Sequence, residues 1–320
     1  MLRSLLIYLS HASWARQIVT RWGFAWRAAS RFVAGEQLED AIRVVGELNE
    51  KGINATLDHL GEHTTSPEKA SQATEDILKI LEEIDRTGVR SNVSIKLTQI
   101  GLALDPALCE ENFCRILDSA RAHHSFVRID MEESNYVDPT LALLSKMSAE
   151  CGCENLGTVI QSYLYRSDED IERLKKQGTR IRLCKGAYQE PPEIAFPKKS
   201  DVDASYDRLA QLLIDGAMAK GSPALSADGK IPPIPAFATH DPDRIEFAKN
   251  YAQKVDLPNK ALEFQMLHGI RRDLQEELAQ RGYPVRVYVP YGSEWYPYFT
   301  RRLAERPANL WFFLSNLVRR

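Results

Sequence analysis

Eight short apolar runs, each followed by a polar stretch suited to a helix, constrain this chain more than any other feature. They cover residues 53–60, 92–97, 126–131, 158–162, 180–185, 236–239, 262–266 and 285–290. The last shows why such a run reads as a strand: Val285, Val287 and Val289 alternate with Arg286 and Tyr288, a period of two rich in β-branched residues. The intervening segments have helical character. Residues 66–87 open Ser-Pro-Glu and place Ile77, Leu78, Ile80, Leu81 and Ile84 on one face, and residues 168–177 end at Gly178, which accepts the left-handed backbone of a helix stop. Strand and helix alternating eight times predict an α/β fold closed into a (β/α)8, TIM-like barrel. A doubly wound open sheet is the competitor, but no GxGxxG follows any strand.

The 320 residues, 44% apolar and 27% charged, suit one large domain with short additions. A net charge of −3 offers no basic excess for a phosphate backbone, so no nucleic-acid partner is expected. No run of 18 apolar residues occurs, so no spanning helix is expected. The five cysteines, at 109, 114, 151, 153 and 184, are odd in number and lack paired CxxC spacing. They point to a reduced, cytoplasmic setting rather than disulfides, and nothing near Cys151-Gly-Cys153 completes a metal ligand set. Residues 1–50 read as helical additions before a barrel over 51–320. The first 35 residues hold Arg3, Arg16, Arg21, Arg27 and Arg31 with no acid, and apolar residues at helical spacing. They suit either amphipathic helices that cap the barrel or a transit or membrane-surface helix. Trp14, Trp22 and Trp26 look like packing residues and favour capping. Residues 221–235 read as an irregular loop with no assigned role.

Several strands carry charge in the phase opposite their apolar residues. Ser94 and Lys96 alternate with Val93, Ile95 and Leu97; Arg128 and Asp130 with Val127 and Ile129; Arg182 with Ile181 and Leu183; Arg286 and Tyr288 with the last three valines. Residues two apart on a strand share a face. If the branched residues face the helices, Lys96, Asp130, Arg182 and Tyr288 point into the barrel, with Gln161 and Gln265 on neighbouring strands. Such barrels place their chemistry at the C-terminal mouth. Burying ions costs several kcal/mol each unless they are paired or used.

Three more segments fall at strand ends. Lys185-Gly186-Ala187-Tyr188 ends a strand in small residues that let backbone approach a ligand, and Thr239-His240 sets a hydroxyl and an imidazole at the next strand end. After the last strand, Pro290 and Gly292 form a break, Ser293 and Glu294 suit a helix start, and the helix carries Arg301 and Arg302 before Pro307. Two adjacent guanidinium groups at that mouth are matched to a small carboxylate, so an anion is the expected ligand.

These segments resemble the proline dehydrogenase family. The resemblance rests on Ser94-Ile-Lys96-Leu, Ile129-Asp130-Met-Glu132-Glu, Arg182-Leu-Cys-Lys-Gly-Ala-Tyr188, Ala238-Thr-His240-Asp, Phe264-Gln-Met-Leu-His-Gly269 and the block from Tyr288 to Arg302, in family order from about residue 50 onward. It implies a distorted (β/α)8 barrel, FAD at its mouth, and oxidation of L-proline to Δ1-pyrroline-5-carboxylate in the short monofunctional form. By position, Arg301, Arg302 and Lys96 would hold the carboxylate, Asp130 would organise the polar network, and Leu183, Tyr188 and Tyr288 would wall the ring. Arg182 would lie by the flavin N5, with Gln161, Lys185, Gly186, Ala187, Thr239 and His240 along the cofactor and Met131 and Glu132 near the isoalloxazine. The implied partners are a quinone-type electron acceptor, a bilayer touched peripherally by the basic N-terminal helices, and a separate pyrroline-5-carboxylate dehydrogenase. Hydroxyproline or pipecolate is the alternative substrate, though Tyr288 stands where the family excludes a substituted ring. Cys184, Asp241 and His268 depart from the residues common at their positions without removing a proposed charge.

Overall fold

The computed structural model describes residues 26, 29–151 and 154–305. Parallel strands β1 (Asn54–His59), β2 (Ser91–Ile95), β3 (Val127–Ile129), β4 (Leu156–Gln161), β5 (Arg180–Cys184), β6 (Pro235–Ala238), β7 (Glu263–Leu267) and β8 (Val285–Tyr291) pair in chain order, and β8 returns to β1 to close the barrel. α1 (Leu38–Glu50) precedes β1. α2 (Pro67–Thr87), α3 (Pro106–Ala122), α4 (Val137–Cys151), α5 (Ser167–Gln177), α6 (Lys199–Ala219), α7 (Pro242–Lys254) and α8 (Arg272–Gln280) follow β1 to β7 in turn, and α9 (Trp295–Glu305) follows β8.

Each expected strand is present, with local corrections. β3 stops earlier than expected because Asp130 leaves the ladder after its N–H reaches Ile95 O at 2.8 Å. Pro290 does not end β8. Its carbonyl accepts from Ala34 N at 2.9 Å, and the chain turns instead at Gly292, whose φ of +120° suits glycine. The helix signals act as read: the Ser66 side chain accepts from Lys69 N at 3.4 Å, and Gly178 closes α5 with φ 73°.

The outward phase of the strands packs on the helices. Val93 and Ile95 of β2 share one core cluster with Ile77, Ile80, Leu81 and Ile84 of α2, all almost fully buried. Each such side chain contributes about 1.5–3 kcal/mol on burial. A second cluster joins Ala29, Phe32 and Val33 to Leu60, Ile270 and the aromatic face of α9 (Trp295, Tyr296, Tyr298 and Phe299). Trp26 meets Trp295 edge-on at 5.4 Å. The helices expected over the first 25 residues, like Cys153 and Pro307, lie outside the described residues. Among the described residues no helix is long and apolar enough to cross a membrane.

The loop over 221–235 has a definite place: it closes the N-terminal end of the barrel. Gly229 O accepts from Arg286 Nη2 at 2.7 Å, Lys230 O from Asn92 Nδ2 at 2.8 Å, and Pro232 O from Arg180 Nη1 at 2.5 Å. At the same end Arg128 donates to Thr158 O and Arg180 O at 2.9 and 2.5 Å. Gly157 makes room for it, since a Cβ there would lie 2.7 Å from Arg128 Nη1.

Candidate active site

The other end of the barrel opens into a cavity of about 670 Å³, within the usual range for ligand sites. Asp130, just past β3, is its hub. Its Oδ1 accepts from Ser94 Oγ and Arg182 Nη1, both at 2.6 Å, and its Oδ2 from Tyr288 OH at 2.7 Å. Lys96 Nζ lies 3.9 Å from the same carboxylate and 3.1 Å from Asp58 Oδ1. Burial opposes charge on Lys96, but Asp58 and Asp130 outweigh it and raise its pKa, so it is an ammonium at neutral pH. Burial likewise pushes the Tyr288 phenol well up, helped by Asp130, so its proton stays available to donate.

α9 brings Arg301 and Arg302 over this hub. Arg301 grips Glu62 with both terminal nitrogens, at 2.8 and 2.7 Å, and Arg302 lies 5.1 Å over the Tyr298 ring. Burial works to raise the Glu62 carboxyl, and Arg301 outweighs it, leaving the group below its ordinary value. Six basic side chains (Lys96, Arg182, Lys185, Lys199, Arg301 and Arg302) and four acidic ones (Asp58, Glu62, Asp130 and Asp241) line the cavity, and Asp203, paired with Lys185 and Lys199 behind the rim, is a fifth acid, leaving one positive charge over. An organic anion fits that imbalance. Met266, Leu267 and the Tyr288 ring supply an apolar wall beside it.

The wing towards β5 and β6 suits a larger group. Gly186 has φ +112°, and a Cβ there would come within 2.3 Å of the Tyr163 ring, so backbone alone fits between cavity and ring. Lys185 Nζ reaches Asp203 at 2.5 Å and Asp241 at 2.7 Å, a basic group held at the rim by two carboxylates. His240 Nε2 accepts from Leu267 N at 3.0 Å, which fixes the tautomer that carries its proton on Nδ1. Thr239 Oγ1 accepts from Asp241 N at 3.1 Å.

The family model described as "Proline dehydrogenase" matches residues 41–314. The chain belongs to the proline dehydrogenase family. It is 40% identical to Proline dehydrogenase 1 of Bacillus subtilis over the full length of both chains. It is 41% identical to Proline dehydrogenase of Deinococcus radiodurans, covering 92% of this chain and 91% of that one. Among solved structures, proline utilization A from Bdellovibrio bacteriovorus inactivated by N-propargylglycine superposes with a TM-score of 0.78 at 26% identity, over 88% of this chain and 33% of that one. The chain thus spans a third of that larger protein. Proline dehydrogenases are oxidoreductases and, in general, flavoenzymes.

Fourteen of the sixteen residues singled out from the sequence line this one cavity: Lys96, Asp130, Met131, Gln161, Arg182, Lys185, Gly186, Ala187, Tyr188, Thr239, His240, Tyr288, Arg301 and Arg302. Two do not. Leu183 occupies the opposite phase of β5 from Arg182 and is buried in the main core, and Leu267 takes an apolar place at the cavity instead. Glu132 turns its carboxylate onto Thr98, accepting from its backbone N–H at 3.1 Å and from its hydroxyl. Asp58 and Glu62 were not singled out. Asp58 shares the inward phase of β1 with Asn54 and Thr56, a signal available in the sequence; Glu62 sits in a loop, where no periodicity marks it.

Proposed function

We propose that this proline dehydrogenase family member oxidises L-proline to Δ1-pyrroline-5-carboxylate with FAD as its redox group. The observation that carries the reading is the cavity's excess of positive charge beside an apolar wall. Proline offers one carboxylate, one secondary amine and an otherwise apolar ring. Arg302, Arg301 and Lys96 would receive the carboxylate, and Tyr288, Tyr188 and Leu267 would wall the ring. Asp130 keeps Arg182, Tyr288 and Lys96 in fixed directions, so the substrate would meet a site already organised. The chain's residues fit FAD: Gln161, Thr239, His240 and the Lys185–Gly186–Ala187 backbone would lie along it, and Arg182 would face it. Oxidation breaks a ring C–H bond beside the nitrogen, releases the N–H proton and forms C=N. The flavin, when bound, supplies the acceptor for the hydride. A cation at Arg182 would favour electrons arriving there.

The test is the visible absorption band of FAD-reconstituted protein, recorded anaerobically before and after L-proline. Bleaching supports the reading, and an unchanged band, or no flavin uptake, rejects it. A panel with hydroxyproline and pipecolate fixes the ring, with L-proline expected to be fastest. We extend the same reading to a quinone-type electron acceptor, a bilayer met by the basic residues before 35, and a separate dehydrogenase that takes the product. Quinone analogues that fail to reoxidise the proline-reduced protein would remove the first, and vesicles that fail to co-sediment it the second. Product channelling that is unchanged when a pyrroline-5-carboxylate dehydrogenase is added would remove the third.

A further inference from the structure

A single hydrogen-bonded relay runs along the barrel axis from its closed end to the hub of the cavity. Arg286 is pinned at the closed end by two backbone carbonyls, Ala55 O and Gly229 O, both at 2.7 Å. Its Nε donates at 2.9 Å to Glu263 Oε1, which also accepts from Gln265 Nε2 at 2.6 Å. Gln265 Oε1 accepts from Arg182 Nε at 2.5 Å, and Arg182 Nη1 donates to Asp130. Glu263 and Arg286 are 0% and 1% exposed, and neither lines the cavity.

We infer that Glu263 is a positioning residue for Arg182, acting through the orientation of the Gln265 amide. An amide has a donating end and an accepting end, whereas a carboxylate only accepts. Glu263 therefore holds the NH2 of Gln265 towards the closed end and its oxygen towards the cavity. The reversed amide would set its oxygen against the Glu263 carboxylate and its NH2 against Arg182 Nε–H, two repulsive contacts in a dry interior. With the amide fixed, Arg182 has Nε on Gln265 and Nη1 on Asp130, so the plane of its guanidinium is set. The bland rival is that Glu263 only neutralises buried Arg286. The two ideas part when both charges are removed together, because charge balance is then kept while Gln265 loses its director.

This inference rests on the proposed reading that Arg182 faces the flavin, and the experiment separates the two. Wild-type protein reconstituted with FAD is first reduced with L-proline; no bleaching there rejects the reading itself. The double variant Glu263→Met/Arg286→Met is then compared with Glu263→Gln. The readouts are the rate of flavin reduction per bound flavin and the reduction potential of the bound flavin. Glu263→Gln retains an acceptor for both donors, and its NH2 can occupy the place of Oε2, which has no protein partner among the described residues. It should stay within about twofold of wild type, since no hydrogen bond to a charged group is lost. The double variant should reduce about tenfold more slowly, the size of one such bond, with a lower potential. A double variant matching wild type in rate and potential overturns the inference, as does Glu263→Gln falling as far as the double. Should the double not fold, Gln265→Leu takes its place: the same loss of rate and potential is expected, and unchanged values overturn the inference.

Discussion

The two ends of this barrel hold the same kinds of buried ion for opposite purposes. At the closed end, Arg128, Arg180 and Arg286 each donate to backbone carbonyls. Those acceptors are fixed by the fold, and a guanidinium bonded to them ties strands and loop together. At the open end the partners are side chains, set around a cavity of about 670 Å³ with one positive charge over. Buried charge alone therefore does not mark a functional site. What marks it is charge left in excess beside a space.

That contrast can be broken at either end. The largest effect is expected from Arg286→Met, which strands the buried Glu263 carboxylate. Stability should fall by about 3–5 kcal/mol, read by denaturant unfolding of the apoprotein. A loss within error of zero would mean that the closed end is not held by its charges. Next comes Arg302→Met at the mouth. A desolvated guanidinium–carboxylate contact of about 2–5 kcal/mol should raise the KM for L-proline at least about thirtyfold while flavin content holds. Equal loss of both would make Arg302 part of the scaffold, like its counterparts below.

Gly186→Ala sharpens the comparison from the backbone side. Its φ of +112° and the Tyr163 ring at 2.3 Å oppose any side chain. A cost of about 1–3 kcal/mol is expected, with weaker FAD retention than Gly157→Ala at the closed end gives. Flavin titration of both variants decides it, and equal retention would sever Gly186 from the cofactor. The smallest effect concerns Glu62→Gln. Because Arg301 depresses the folded pKa of Glu62, the pair's contribution is fully present above the ordinary value of 4.5 and disappears as pH falls through the depressed value. Wild type should therefore exceed the variant by about 1 kcal/mol at neutral pH and match it in strong acid. A gap that persists at low pH would mean that the ion pair is not its source.

The architecture was largely legible because strand and helix periods differ, and eight alternations leave few ways to bury every apolar face. The inward phase of Lys96, Asp130, Arg182 and Tyr288 was legible for the same reason. Motif position and strand phase part at Leu183: it follows Arg182, so strand geometry sends it to the core. Glu62 was invisible because a loop residue acquires its partner only when α9 folds across the mouth. The loop over 221–235 was legible as a loop, but its role was invisible for a related reason. It holds the barrel through carbonyls, which every residue has and no composition reveals.

The aromatic cluster that joins Phe32 and Val33 to α9 has a consequence for synthesis. Residues from the two extremes of the described chain pack together on the helix that carries Arg301 and Arg302. A growing polypeptide therefore brings these two arginines to the mouth late, after nearly all of the cylinder has left the ribosome. Products truncated before α9 would lack both guanidinium groups, however much of the cylinder had folded.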